Sequence, residues 1–158
     1  MFLIFILVCD YWYLGAGTSE EFVVWSEWKG LGTKADLYLL FPENSLPLRL
    51  SLEVNGAGIL NYREIMTIHS FHFKIAFTRR SSKLEYYYGL SMDVFRFKFH
   101  GKSTGFLYTW GFFTDINLYT FQMGNTREVI YVSFSKFFLL KHYLKLGMGL
   151  RWYFPLRG

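Results

Sequence analysis

Apolar and polar residues alternate over much of this 158-residue chain. From Leu48 to Val54 the alternation is clean. Leu48, Leu50, Leu52 and Val54 share one face, and Arg49, Ser51 and Glu53 share the other. That period of two is the mark of a strand with one face buried. Val94 to His100 repeats it, with Phe95, Phe97 and Phe99 opposite Arg96, Lys98 and His100. Leu31 to Phe41 reads as a third strand, with Leu37, Leu39 and Phe41 on one face, closed by the turn sequence Pro42-Glu43-Asn44-Ser45. Further strands are expected at 106–113, 128–138 and 143–154. Asn55 to Gly58 reads as a break and Gly101 to Gly105 as a turn. Residues 11–30 show no regular period. Gly15, Gly17 and Ser19 suggest a turn there, and Trp25 and Trp28 an anchor. Residues 64–76 fit helix and strand equally.

Residues 77–90 fit a helix. Phe77, Leu84 and Tyr88 recur at spacings of seven and four, which gives one apolar face. Arg79, Arg80 and Lys83 fall together on another face, at i,i+3 and i,i+4. Gly89 would end such a helix near Leu90.

Composition adds two facts. Eighteen Phe, twelve Tyr and five Trp exceed what a core of this size needs, so some rings must meet lipid, RNA or another protein. The net charge of +5 is also unevenly placed. Residues 1–76 hold five Lys/Arg and eight Asp/Glu, and residues 77–158 hold twelve and four. A basic half implies a polyanionic partner, against the plainer reading of a solvated face. Cys9 is the sole cysteine, which excludes an intramolecular disulfide and a cysteine-built zinc site. His69 and His72 are three apart, together on a helix or on opposite faces of a strand, and nothing nearby completes a metal-ligand set. No nucleophile elbow, Walker loop or dinucleotide fingerprint occurs, and Asp93 and Asp115 lie beside no histidine at motif spacing. The chain is expected to be no enzyme and to need no cofactor. The apolar run Phe2 to Cys9 is shorter than the about 20 residues of a spanning helix, and no positive charge opens it as a secretory signal would.

Two basic constellations remain. Arg79-Arg80-Ser81-Ser82-Lys83 puts three cations on one helical face, each able to meet a phosphate. In His100-Gly101-Lys102-Ser103-Thr104-Gly105, glycines flank a lysine and let the backbone approach an anion. Their order resembles the C-terminal domain of the small-subunit ribosomal protein S three family. That family carries Arg-Arg-x-x-Lys on a helix, then a strand entering Ser-Gly-Arg-Leu-x-Gly. Gly124-Asn125-Thr126-Arg127 and the Tyr143–Trp152 ending are loosely similar to later family motifs. The resemblance covers residues 77–154, and no KH-type Gly-x-x-Gly loop precedes it. The aromatic excess is similar to that of divergent mitochondrially encoded proteins.

The resemblance implies an α+β fold, with a small mixed sheet and packed helix at 77–158. Residues 1–76 would form an acidic, aromatic-rich segment, a degenerate or replaced KH-like region. It implies a mitochondrial matrix protein that binds rRNA, mRNA and neighbouring ribosomal proteins, with no membrane span. Arg79, Arg80 and Lys83 would face mRNA at the entry channel. Arg96, Lys98 and Lys102 are the candidates for rRNA phosphates.

A second reading stands beside it: an outer-membrane β-barrel of about eight strands. Leu146, Met148, Leu150, Trp152 and Phe154 would then face lipid, and Lys145, Gly147, Gly149 and Arg151 the lumen. Three features oppose it: the missing signal charge, the adjacent Arg79-Arg80, and an apolar alternation that slips phase near Phe95. A β-bulge would repair the last.

Overall fold

A computed structural model describes residues 13–41, 47–81, 84–138 and 143–156. The chain forms eight antiparallel strands: β1 (Tyr13–Trp25), β2 (Trp28–Leu40), β3 (Leu48–Leu60), β4 (Ile65–Arg80), β5 (Glu85–Phe99), β6 (Lys102–Met123), β7 (Thr126–Phe137) and β8 (Tyr143–Pro155). Each pairs with its neighbours in sequence, and β8 pairs back onto β1, so the sheet closes into a barrel. Among the described residues there is no helix. The expected α+β fold, with its helix at 77–90, is overturned.

The register fixes the barrel's shape. A path straight across paired neighbours from Tyr13 runs through Leu40, Arg49, Ala76, Gly89, Phe113, Ser135 and Lys145. It re-enters β1 at Val23, ten residues beyond its start. That stagger around eight strands tilts them about 40° from the axis. Even β7, with 12 residues, then rises roughly 30 Å along the axis. Closure leaves no full-length edge strand for edge-to-edge aggregation.

The corrections have local causes. In the expected helix, the spacing of Phe77, Leu84 and Tyr88 is a chance match. Phe77 ends an outward row of β4, and Tyr88 lies directly opposite it on β5. Tyr86, Tyr87 and Tyr88 favour a pleated strand. Gly89 caps nothing; a Cβ there would lie 1.9 Å from the Ile75 carbonyl oxygen, so the close approach of β4 demands glycine. Residues 11–30 hold most of β1 and the start of β2. Gly15 is no turn but a space for a ring: its Cβ would meet Tyr153 at 2.9 Å. Asn55 to Gly58 lies inside β3, and residues 64–76 belong almost wholly to β4. The Gly101–Gly105 turn shrinks to His100 and Gly101, with φ of 47° and 75°. Two successive positive φ values suit a two-residue hairpin. The division expected between residues 76 and 77 falls within β4. The turn expected over Pro42–Ser45 lies outside the described residues.

Hereafter the upper rim is the end bearing Ser26–Glu27, the Asn61–Glu64 turn and His100–Gly101. The lower rim carries Tyr13 and Pro155.

Candidate functional site

Over the middle of most strands the barrel is inside out relative to a water-soluble protein. Leu37, Leu52, Phe71, Leu90, Trp110 and Leu150 are exposed on its outer wall. Lys34, Glu53, Lys74, Asp93, Asp115 and Arg151 are buried in its lumen. The alternation read from Leu48 to Val54 is therefore right in period, and the structure supplies its sense: Arg49, Ser51 and Glu53 are the buried face.

The buried charges are paired. Asp115 bridges Arg49 and Arg151, the latter at 2.5 Å. Both guanidiniums also lie over rings, Arg151 at 3.4 Å from the Tyr131 centroid and Arg49 at 4.1 Å from that of Tyr87. Above them, Lys34 sits among Glu21, Asp36 and Glu53 at 3.5–3.7 Å. Lys74 reaches Glu53 at 2.7 Å, and Lys145 reaches Glu21 at 3.4 Å. Charges taken out of water need such partners.

One cluster has the order of a hydrolase relay. Ser70 Oγ lies 2.8 Å from His72 Nε2, and His72 Nδ1 lies 2.6 Å from Asp93 Oδ1. The Ser91 hydroxyl donates to Asp93 at 2.8 Å. The sequence reading missed it because it sought motif spacing along the chain; His72 and Asp93 are direct partners across β4 and β5. His69, by contrast, faces outward, so the two histidines share no site. Nucleophilic catalysis needs a free nucleophile, an oxyanion hole and substrate access. Here Lys145 Nζ lies 3.0 Å from His72 Nε2 and 3.3 Å from Ser70 Oγ. Phe137 stacks on the imidazole with centroids 5.4 Å apart, and Phe95 meets its edge. Ser70, His72 and Asp93 are all buried.

Apolar clusters close both ends of this charged layer. At the upper rim, Val23, Ile59, Ile68, Phe95, Phe97 and Phe137 pack together. At the lower end, Tyr38, Tyr87, Phe113, Val129, Tyr131 and Tyr153 do so.

The outer wall carries one broad groove of about 640 Å³, lined by Thr33, Ala35, Gly56, His69, Phe71 and Arg96 among others. Thr33, Gly56, His69 and Arg96 are successive partners across β2, β3, β4 and β5.

Of the residues singled out as phosphate-binding, Arg96 and Lys98 point outward from β5 near the upper rim, and Lys102 opens β6 beside them. Arg79 and Arg80 end β4 at the lower rim, where Arg80 lines a notch with Glu85, Asn117 and Arg127. The adjacent arginines thus lie at the strand's end, clear of the apolar wall. Lys83 lies outside the described residues. The structure does not gather the two groups; they stand at opposite rims.

No protein-family model matches the chain, and no curated protein does. Solved structures do. Neisserial surface protein A aligns over 89% of this chain and 95% of its own, with a TM-score of 0.56 at 15% identity. This is the fold of the eight-stranded outer-membrane barrels. Ail, the attachment invasion locus protein of Yersinia pestis, in complex with the heparin analogue sucrose octasulfate, aligns over 91% and 98% with a TM-score of 0.53 at 12% identity. A major outer membrane protein from Thermus thermophilus aligns over 88% and 99%, again at 0.53 and 12%.

The barrel overturns the likeness to ribosomal protein S three. With it go the matrix location, the rRNA, mRNA and ribosomal-protein partners, and the mRNA- and rRNA-facing roles of the named cations. The expectation of no membrane span, part of the same ribosomal reading, goes with it: the Thermus thermophilus protein that shares this fold is named for the outer membrane, and barrels of that kind cross with strands.

Proposed function

We propose that this protein is an outer-membrane β-barrel that spans the bilayer and serves as a closed, membrane-embedded body, neither pore nor enzyme. One observation carries the reading: the reversed polarity of the strand midsections. An exposed apolar belt around the whole barrel is tolerable only in lipid, and polar groups alternating behind it are the arrangement of transmembrane barrels. The rise of roughly 30 Å matches the hydrocarbon thickness. Paired charges between two apolar clusters argue against conduction, and the packed, lysine-capped relay argues against hydrolysis. The attachment named for Ail is not carried over.

The test is reconstitution of the chain into phosphatidylcholine vesicles. Resistance to carbonate extraction, with tryptophan emission quenched by brominated acyl chains, is the expected result. A monodisperse protein in detergent-free buffer would sink the membrane reading. In planar bilayers no steady conductance is expected; porin-sized currents would refute the closed lumen alone.

A further inference from the structure

The groove on the outer wall is unlike the rest of that wall. Elsewhere the exterior at mid-height is mostly large and apolar, built of Leu, Phe, Ile, Met and Trp110. Here Ala35 and Gly56 leave a depression beside Phe71. Gly58, two residues further along the same outward face, has open space where a Cβ would stand. A volume of about 640 Å³ lies within the roughly 300–1,000 Å³ of small-molecule sites. Because the groove opens onto the bilayer, its occupant comes from the bilayer.

The chemistry of its two ends differs. Its floor is made of small, uncharged residues, Thr33, Ala35 and Gly56. Its upper end carries Arg96, three residues before the end of β5, with Lys98 two residues above it. Arg96 lies over the ring of Phe106, 5.7 Å from the centroid, and neither cation is held by a carboxylate of the described residues. An outward cation costs about 2–4 kcal/mol at the bilayer midplane and little at the interface. Two free cations beside a depression at interfacial height therefore complement an anion at that height. His69 lies directly across from Arg96 and adds a polar ring to the same end.

We infer that the groove binds one anionic phospholipid, its acyl chain lying over Ala35 and Gly56 and its phosphate on Arg96 and Lys98. This site rests on the membrane reading and adds to it a specific ligand class. It also recasts the basic strand Val94–His100: its polyanion is a lipid headgroup.

The test uses the full chain in phosphatidylcholine vesicles doped with spin-labelled phosphatidic acid or spin-labelled phosphatidylcholine. Electron paramagnetic resonance reports the fraction of label held by the protein. Carbonate resistance is checked first, so a chain that never inserts fails the membrane reading, whereas one that inserts without selecting lipid fails only this site. The labelled phosphatidic acid is expected to be held roughly fivefold more strongly than phosphatidylcholine, the effect of about one cation on an anionic headgroup. Arg96→Gln should abolish most of that preference. Gly56→Leu, which fills the groove from a position where a Cβ meets only His69 Nδ1 at 3.8 Å, should lower it too. Lys136→Gln removes an outward cation elsewhere on the wall and should leave it unchanged. No preference in the unaltered chain overturns the site. Equal loss with Lys136→Gln makes it diffuse surface charge, and indifference to Gly56→Leu removes the groove; either overturns it. A sedimenting dimer that Gly56→Leu dissociates would give the groove to a second copy instead.

Discussion

The middle of the barrel and its upper rim use the same strands in opposite ways. In β5 the midsection turns Ser91 and Asp93 inward and Leu90 and Met92 outward. A few residues on, Phe95 and Phe97 point inward and Arg96 and Lys98 outward. In β4, Ser70, His72 and Lys74 line the lumen, then Ile68 and Met66 do; outside, Phe71 and Ile75 give way to His69 and Thr67. Both β4 and β5 keep their phase throughout. What exchanges is the chemistry of the two faces, at the height where the lumen changes from charge network to plug and where, on the proposed membrane reading, the outer medium would change from hydrocarbon to headgroups. The apparent slip near Phe95 is this exchange. A bulge does lie close by, setting Thr104 and Gly105 opposite Phe97, but on β6. There Thr104 Oγ1 accepts from the Phe97 amide at 3.2 Å.

The sharpest way to break the comparison is inside. Asp115→Ala leaves Arg49 and Arg151 buried without their shared carboxylate, a loss expected to cost about 3–5 kcal/mol. Phe95→Leu, within the upper plug, is a change among apolar residues and should cost under about 1.5 kcal/mol. Urea titration of the refolded protein in lipid, followed by tryptophan emission, measures both. Equal costs would mean that the lumen is not divided into a charged midsection and an apolar plug.

Much of this was legible in the sequence, though not its sense. The period of two at 48–54 and at 94–100 fixed which residues share a face. It could not say which face is buried, because alternation is the same whether water or lipid lies outside. The rows of leucine and of arginine and glutamate at 48–54 were therefore left without a side, and the aromatic excess was referred to lipid, RNA or another protein without being tied to a face. The interior network was illegible for another reason. Its pairs, such as Glu21 with Lys145 or Asp115 with Arg49, join strands far apart in the chain, and only the register brings them together. Glycine misled as well. Gly15, Gly17 and Gly89 punctuate a sequence as turns would, yet in a closed barrel Gly15 and Gly17 make room for the side chains of Tyr153, Asp36 and Arg151, and Gly89 for the backbone of β4.

On the outer wall the contrast is one of depth. Leu90→Arg puts a cation in the apolar midsection and is expected to cost about 2–4 kcal/mol. Leu60→Arg puts the same cation at the end of β3, beside the upper turn, and should cost about 0–1 kcal/mol. Both residues are more than half exposed, so neither change disturbs packing within the barrel. The same titration reads the difference, which should disappear if the wall met water rather than lipid.

Glu20 is the exception that tests the rule most finely. It faces outward from the middle of β1, paired across the sheet with Thr33 and Met148. Its neighbour Glu21 points into the lumen and is held by Lys34, Lys145 and Asn55. Two adjacent carboxylates thus meet opposite environments, and among the described residues only the inner one is paired. If the midsection is bathed in hydrocarbon, Glu20 is a small liability, since an acidic residue on the lipid face costs less than a basic one but still costs. Glu20→Leu should then stabilise the barrel by up to about 1 kcal/mol in vesicles. Glu21→Leu should do the reverse, stranding Lys145 in the lumen without a carboxylate. A Glu20→Leu variant that loses stability would show that the carboxylate has a polar partner in the membrane, and that the outer midsection is not uniformly in contact with lipid.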